Sequence, residues 1–218
     1  FGQNLGRRSK IRLEVKAMSL SELMYLIKWD LKINRGLSWD AVRAMLLLLE
    51  FRIEQYTYRK LSTRPHPATH LLWCTFRAFG ALFQWFLCNS SIPGQATIGR
   101  GLRLPHPQNI IIANRADIGE FCTIYQGVSI AWNGFKRTKP LSPKIGSQVL
   151  IGAGAIIIGD ITIGSYVLIG AGAVVAQPVP AYSRVTPAPP VIKTRKPTSV
   201  AARPGSHRHL KDPYSIWR

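Results

Sequence analysis

A strict six-residue spacing of aliphatic side chains restricts the fold of this sequence more than any other feature. The series slips by two residues after Ile110 and is interrupted after Ile130. Its members are Ile92, Ile98, Leu104, Ile110, Ile112, Ile118, Ile124, Ile130, Ile145, Ile151, Ile157, Ile163, Ile169 and Val175. Neither an α-helix nor a flat strand has this period. The spacing predicts a hexapeptide-repeat parallel β-helix, in which each aliphatic side chain points into the coil.

The chain before the repeat carries the pattern of three α-helices. Apolar residues at helical intervals predict helices over 19–32, from Ser38 or Asp40 to Leu61, and from His70 to Cys88. The third helix is apolar nearly all round. We expect it to be buried between subunits or under the next domain, and a helix lying on a membrane surface is the alternative.

The predicted domain organisation follows from these changes of pattern. An α-helical N-terminal region covers 1–90, and the β-helix covers 91–185, which makes the fold mainly β. The segment 131–144 breaks the period and is expected to project as a loop, where a solenoid often carries its binding specificity. Residues 186–218 are basic and rich in proline, and we expect them to form a tail.

The chain carries a large positive charge. Its 29 Lys and Arg against 10 Asp and Glu give a formal net charge of +19, which is spread over the whole length. This excess suits a polyanion such as nucleic acid, anionic lipid, acidic polysaccharide or a phosphate-bearing cofactor. No nucleic-acid-binding motif accompanies it, so we expect no nucleic-acid partner.

The cysteines and the apolar segments bear on the compartment. Cys74, Cys88 and Cys122 are too few for a disulfide framework or a four-ligand zinc site, so we expect free thiols in a reducing compartment and no metal. The sequence contains no run of 18 uncharged apolar residues, and we expect neither a single-pass membrane anchor nor a signal peptide. We therefore expect a cytoplasmic protein, with peripheral contact at the inner face of the cytoplasmic membrane as a further expectation.

Three repeat segments carry a resemblance to a known family. They are Ile98–Ile112, which includes Leu-Pro-His106-Pro, then Ile118–Ile130, and Ile151–Gly164. They resemble the serine acetyltransferase branch of the hexapeptide acyltransferases, and within it the bacterial exopolysaccharide O-acetyltransferases of the colanic-acid type. The resemblance implies a left-handed β-helix, a homotrimer, and acetyl-CoA bound in the groove between neighbouring prisms. It leaves open whether two trimers pair through the helices.

The resemblance places the catalytic base of the family on His106. The role makes chemical sense, because an imidazole can take the proton of an acceptor hydroxyl as that hydroxyl attacks a thioester carbonyl. Members of the family carry a supporting Asp immediately before this His, whereas this chain has Pro105. We therefore expect no carboxylate to orient the ring.

The resemblance also assigns the acetyl-CoA site. Small residues at the edge of the groove let the pantetheine arm run along the backbone, and basic side chains meet the nucleotide phosphates. The matching positions are Ala131, Trp132, Ala153, Gly154, Ala171 and Gly172, with Lys139, Lys193 and Arg195 for the phosphates.

The acceptor-binding positions differ from those of the family. Leu141 and Ser142 stand where the family has an Arg and a His that handle serine. A sugar hydroxyl needs neutral hydrogen bonds and a stacking surface, which aromatic and amide side chains provide. The predicted acceptor-binding residues are Tyr125, Asn133, Phe135 and Ser142.

These observations together predict an acetyl-CoA-dependent O-acetyltransferase. The expected acceptor is a sugar hydroxyl of a bacterial polysaccharide or its precursor, with direct transfer and His106 as general base. Serine O-acetylation in cysteine biosynthesis is the alternative within enzymes. A catalytically silent scaffold that docks on a membrane or a polymer-synthesis complex is the alternative outside them.

Overall fold

The computed structural model describes residues 17–63, 66–132 and 142–194 of the 218-residue chain. Three α-helices come first: α1 (Leu20–Ile33), α2 (Trp39–Thr63) and α3 (Pro67–Cys88). By its internal contacts the chain divides into Phe1–Pro187, which holds every helix and strand described, and Ala188–Arg218.

Each helix begins at a residue that caps its first turn. The hydroxyl of Ser19 accepts the backbone N–H of Glu22 in α1, and the hydroxyl of Ser38 accepts that of Ala41 in α2. Helix α3 begins at Pro67, three residues before the predicted start, because the side chain of His66 caps it. Proline fits the first helical position, where a missing N–H costs nothing.

The repeat folds as a left-handed parallel β-helix, as predicted. Its strands in the described residues are β1 (Thr97–Ile98), β2 (Ile111–Ile112), β3 (Asp117–Ile118), β4 (Thr123–Ile124), β5 (Ser129–Ala131), β6 (Lys144–Ile145), β7 (Leu150–Ile151), β8 (Ile156–Ile158), β9 (Thr162–Ile163), β10 (Leu168–Ile169), β11 (Val174–Val175) and β12 (Arg184–Val185). They form three parallel sheets, which we call face 1 (β1-β3-β6-β9), face 2 (β4-β7-β10-β12) and face 3 (β2-β5-β8-β11).

The hexapeptide positions form the core of the coil. All the members of the series, from Ile92 to Val175, expose between 0% and 4% of their surface. Each lies in register with its counterparts in neighbouring coils, as Ile118 does with Ile98 and Ile145. One coil is too small to bury its own aliphatic side chain, so stacking stabilises every coil through its neighbours.

The two-residue slip in the period lies at one corner of the first coil. The turn between Leu104 and β2 contains two residues more than the equivalent turn between β4 and β5. This is the corner between faces 2 and 3, which we call corner 2/3. The enlarged turn carries His106.

Side chains of the helices cap the first coil. This coil has no coil before it, so its backbone N–H and C=O groups need other partners. The fully buried Arg52 of α2 donates to the carbonyl oxygens of Ile98 at 2.7 Å and Gly99 at 2.6 Å. The amide of Gln55 donates to the carbonyl oxygen of Ala96 at 2.9 Å.

Two residues from α1 and its C-terminal end complete the cap. The Oδ1 atom of Asp30 accepts the N–H groups of Gly101 at 2.8 Å and Leu102 at 3.2 Å. The amide of Asn34 accepts the N–H of Leu104 at 2.9 Å and donates to the carbonyl oxygen of Leu102 at 2.7 Å. We call the set the capping cluster: Asp30, Asn34, Arg52 and Gln55. It fixes α1 and α2 to the coil that carries His106.

The structure contradicts one of the two buried positions predicted for helix α3, the one under the β-helix of its own chain. Within one chain it is not buried under the β-helix, since only Gly80, Gln84 and Cys88 are buried. The outward apolar side chains are between 59% and 79% exposed: Leu71, Phe79, Leu82, Trp85 and Phe86. By length and composition alone, α3 is the one helix among the described residues that could cross a membrane. Its burial between subunits and its contact with a membrane surface both stay predictions.

Candidate active site

His106 projects from the enlarged turn at corner 2/3. Pro105 and Pro107 flank it and restrict the backbone on both sides. The N–H of Gln108 donates to the carbonyl oxygen of His106 at 2.8 Å, and Asn109 has a φ of 55° that completes the turn. The imidazole is 52% exposed. The turn therefore presents the ring to solvent while its backbone is held in place.

A carboxylate from a helix holds the His106 ring. The Oδ2 atom of Asp40, in the first turn of α2, lies 2.7 Å from His106 Nδ1. A carboxylate at this place also benefits from the positive end of the helix dipole. The expectation that no carboxylate orients the ring is thus wrong. It failed because the supporting group lies 66 residues earlier in the chain, where no local spacing connects it to His106.

The first turn of α2 also places the guanidinium of Arg43 beside Asp40. The Nη1 atom of Arg43 lies 3.7 Å from Asp40 Oδ1, and its guanidinium lies 5.2 Å from the centre of the Trp39 ring. Sequence reasoning missed these three residues. The available signal was that an acid and a base three residues apart at a helix start share one face of that helix.

A line of turns that each end in glycine runs along corner 2/3 from His106. It consists of the turns 125–127, 152–154 and 170–172, which we call the glycine edge. Backbone hydrogen bonds join successive turns. The N–H of Gly154 donates to the carbonyl oxygen of Gln126, and the N–H of Gly172 donates to that of Ala153. Gly154 and Gly172 have φ values of 68° and 71°, and a Cβ on either would meet no atom within 4 Å. The edge is therefore open at Gly154 and Gly172.

Five predicted ligand-binding residues lie on this edge. Ala153, Gly154, Ala171 and Gly172 were assigned to acetyl-CoA, and the structure brings them to the corner that carries His106. Tyr125, assigned to the acceptor, has its ring centre 6.5 Å from that of His106. Their assigned roles stay predictions.

Three of the other predicted residues lie away from His106 within one chain. Ala131, Trp132 and Ser142 lie at the opposite end of face 3, where β5 ends and the chain re-enters at β6. Lys193 is exposed and belongs to the unit that begins at Ala188. Four predicted residues lie outside the described residues: Asn133, Phe135, Lys139 and Arg195.

The described residues give no support for a cysteine nucleophile at Cys88 or Cys122, or for a metal cluster. Burial raises the pKa of the Cys88 thiol to about 11 and also raises the pKa of Cys122, so both stay neutral and are poor nucleophiles at neutral pH. In the described part of the chain, no group of three or more His, Cys, Asp or Glu side chains could hold a metal ion.

Face 3 carries apolar side chains on its outer surface. Ile111, Ile156 and Val174 point outward in one column, in register with Ser129, and all three are exposed. The corresponding outward positions of face 1 are polar: Thr97, Asp117, Lys144 and Thr162. The outward positions described for face 3 are thus more apolar than those of face 1.

Comparison with known proteins extends this picture. Residues 142–177 match the family described as bacterial transferase hexapeptide (six repeats). A serine acetyltransferase of Staphylococcus aureus is 41% identical over 137 residues, which is 63% of each chain. One from Staphylococcus xylosus is 42% identical over 121 residues, 56% of this chain and 55% of the relative. The chain thus spans less than two thirds of these relatives.

Solved structures give the same likeness. The serine acetyltransferase of Vibrio cholerae O1 biovar El Tor matches with a TM-score of 0.64 at 27% identity, over 77% of this chain and 64% of that one. That of Neisseria gonorrhoeae matches with a TM-score of 0.62 at 26% identity, over 78% and 66%. These proteins are serine acetyltransferases.

This finding corrects the predicted acceptor. The expectation of an exopolysaccharide or capsule O-acetyltransferase, with a carbohydrate acceptor, is wrong, because these relatives and structural neighbours are serine acetyltransferases. The error came from reading acceptor chemistry off Leu141 and Ser142. Ser142 lies away from His106 in one chain, and Leu141 lies outside the described residues.

Proposed function

We propose that this protein is an acetyl-CoA-dependent serine O-acetyltransferase. The observation that carries the proposal is the position of His106 at one end of the glycine edge. A side chain that can act as a base and a surface that can bind an extended ligand therefore lie at the same corner. The identity of 41% to a serine acetyltransferase supports L-serine as the acceptor. This was the alternative that the sequence left open.

The residues of the glycine edge fit the pantetheine arm of the donor. A Cβ at Gly154 or Gly172 would stand in the space that such an arm needs, and no side chain fills that space. Backbone groups along an open edge can exchange hydrogen bonds with amides of an extended ligand. Lys139, Lys193 and Arg195 are proposed to meet its phosphates, and Ala131 and Trp132 to contact it from a neighbouring chain.

The chemistry asked of the protein is proton transfer and charge stabilisation. Acetyl-CoA, when bound, supplies the acetyl group as a thioester. His106 takes the proton of the serine hydroxyl at Nε2 and holds it for the thiolate that departs, so no covalent enzyme intermediate is required. Backbone N–H groups of the coil turns are proposed to stabilise the oxyanion that develops at the carbonyl.

A homotrimer is proposed to complete the site. In one chain the glycine edge is a convex corner, and a ligand bound there needs a second wall. The apolar column on face 3, beside the same corner, supports packing of a neighbouring chain against this face. A cytoplasmic location is also proposed, which the three unpaired cysteines support.

The test is release of CoA thiol from acetyl-CoA by the purified full chain with L-serine. His106→Ala is expected to lower the rate about 10²- to 10⁴-fold, as the loss of a general base does. The matched control is His70→Ala, because His70 is exposed on α3 and away from corner 2/3. Binding of acetyl-CoA without turnover on serine would overturn the acceptor. Absence of acetyl-CoA binding would overturn the transferase itself.

A further inference from the structure

We propose that the exposed side of helix α3 binds to the surface of a membrane that contains anionic phospholipid. We call this side the outer face of α3. Its large apolar side chains are between 47% and 79% exposed: Leu71, Leu72, Phe79, Leu82, Trp85 and Phe86. The proposal goes beyond the acyl transfer proposed above, because binding to lipid needs neither acetyl-CoA nor serine.

The outer face is long and carries no ion pair. From Leu71 to Phe86 it extends over about 22 Å of helix, and its residues recur at intervals that keep them on one side. Arg77 is the one Asp, Glu, Lys or Arg residue of α3, and it is directed at α2, where it pairs with Glu54 at 3.2 Å. An apolar patch of this extent is rare on the surface of a soluble monomer, which indicates that another surface covers it.

The opposite side of α3 is fixed to the rest of the chain. The amide of Gln84 donates to Glu50 Oε2 at 2.7 Å, and its oxygen accepts the N–H of Ile92 at 2.7 Å. Gly80 packs so closely against Glu50 that no Cβ fits there. A helix that crossed the bilayer would have to give up these contacts and bring their polar groups into lipid. We therefore infer that α3 lies along the membrane surface with its outer face among the headgroups and upper acyl chains.

The exposed charges of the helices have the sign that anionic lipid attracts. In the described residues 17–63 and 66–90, four of the five acids are buried or half-buried and engaged within the fold: Asp30 with Arg52, Asp40 with His106, Glu50 with Gln84, and Glu54 with Arg77. Glu22 is the exposed acid, and the exposed basic residues are Lys28, Lys32, Arg35 and Lys60. The solvent side of these helices is therefore cationic.

Further positive charge lies close to α3 in space or in sequence. The ring centres of Tyr58 and Trp73 are 5.9 Å apart, so the exposed Lys60 lies at the same end of the helix pair as Leu71. Residues 1–16 add five Lys and Arg and one acid. Each basic side chain near an anionic bilayer strengthens binding about fivefold. An apolar helix face with cationic surroundings therefore fits a negatively charged membrane.

A second copy of the chain fits the outer face less well. Two copies that paired through α3 would bring the same cationic helical surface together from both sides. Among the described acids of the helices, Glu22 alone is exposed to balance that charge. Like charges that face each other across an interface oppose association, whereas anionic lipid removes the repulsion.

The first experiment is co-sedimentation of the purified full chain with phosphatidylcholine vesicles that contain about 30% phosphatidylserine, at about 0.15 M salt. Leu82→Gln combined with Phe86→Gln removes two apolar side chains of the outer face without changing the charge. The partition coefficient should fall at least about tenfold. The matched control is Tyr182→Gln combined with Val191→Gln, because these side chains are 80% and 84% exposed outside the helices.

The control should bind like the unchanged protein, and vesicles of phosphatidylcholine alone should bind the unchanged protein at least about tenfold more weakly. Absence of binding to the anionic vesicles overturns the proposal. Equal binding of the outer-face variant and the unchanged protein also overturns it, because charge alone would then hold the chain on the vesicle.

The second experiment locates α3 in the bilayer by quenching of tryptophan fluorescence with phospholipid brominated on its acyl chains. Trp85 is 62% exposed on the outer face, so the quenched part of the emission should be lost in Trp85→Phe, a change that keeps the face apolar. It should be retained in Trp132→Phe, because Trp132 is also exposed but follows β5 in the β-helix. Undiminished quenching in Trp85→Phe would place another part of the chain in lipid and overturn the proposal.

The third experiment separates lipid from a second copy. Without vesicles, the outer-face variant should have the same sedimentation coefficient as the unchanged protein. A smaller particle would show that another copy covers the outer face, and would overturn the proposal. Far-UV circular dichroism checks that the helices are retained in each variant, and the conservative Trp85→Phe variant tests the proposal if the double variant loses them.

Discussion

Replacement of Arg52 by Ala tests how strongly the capping cluster holds the first coil. The side chain is fully buried and donates to Asp30 Oδ2 at 2.7 Å as well as to the carbonyl oxygens of Ile98 and Gly99. Removing it leaves a carboxylate that is almost completely buried facing no cation, and two carbonyl groups without this donor. Asp30 and the Ile98 carbonyl are buried, so they cannot rehydrate without opening the contact between α2 and the coil, whereas the Gly99 carbonyl is only partly buried.

The expected loss is dominated by the unpaired charge. Breaking a buried ion pair by removing one partner costs about 3–5 kcal/mol of unfolding free energy, because the remaining charge stays buried. Unsatisfied carbonyl groups add about 1–3 kcal/mol each when they cannot rehydrate, and these costs are not additive. The Asp30 carboxylate keeps two N–H partners, from Gly101 and Leu102, which limits its share. We expect a net loss of about 4 kcal/mol.

The assay is urea unfolding followed by circular dichroism at one fixed protein concentration, since an oligomer makes stability concentration-dependent. Arg103→Ala is the control, because Arg103 belongs to the same coil but its side chain is exposed on the outer surface. It is expected to change the free energy by less than about 0.5 kcal/mol.

A double variant gives the decisive comparison. Asp30→Ala combined with Arg52→Ala leaves no unpaired charge, so its cost should be clearly smaller than the sum of the two single changes. Additive costs, or a loss below about 1 kcal/mol in Arg52→Ala alone, would refute the assignment of a charge-paired cap.

Three further predictions follow from the described residues. Burial between α2 and α3 raises the pKa of Glu50 from 4.5 to about 7, so the free energy of unfolding should fall as pH rises from about 4.5 to 7. Glu50→Gln should remove that fall, and urea unfolding at pH 8 should show a gain of about 1–2 kcal/mol after allowance for partial solvent access. Gly154→Ala should raise KM for acetyl-CoA, whereas Gly159→Ala, which also has positive φ but lies off the glycine edge, should leave KM unchanged in the thiol-release assay. Ile156→Lys should dissociate the proposed trimer in sedimentation velocity, and Thr162→Lys on face 1 should not. Equal KM values for the two glycine variants would contradict the acetyl-CoA site on the glycine edge. Equal sedimentation of the two lysine variants would contradict the subunit contact on face 3.

The sequence predicts the β-helix well because the information for it is local. Each coil requires one inward aliphatic residue and a tolerant corner, and its stability depends on nearest neighbours, so the period shows directly in the chain. The slip between Ile110 and Ile112 was visible for the same reason. Its consequence, an enlarged corner that carries His106, follows once the strands are aligned.

The polar contacts that make the site could not be predicted in this way. Nothing in the helical pattern marks Arg52 and Asp30 as buried, yet both are buried because the open end of a solenoid needs polar partners. Asp40 and His106 are linked only through that docking. The apolar pattern of α3 fits contact with another chain as well as contact with a membrane surface, because the pattern alone does not show which surface covers the helix.

The cap and the site are products of one arrangement. A solenoid end leaves its first coil short of hydrogen-bond partners, and α1 and α2 provide them through the capping cluster. The enlarged turn at corner 2/3 belongs to that same first coil. A helix that docks there brings its first turn beside an exposed side chain of the enlarged turn, which places Asp40 against His106. Helix α2 thereby contributes to the cap through Arg52 and holds the His106 ring through Asp40.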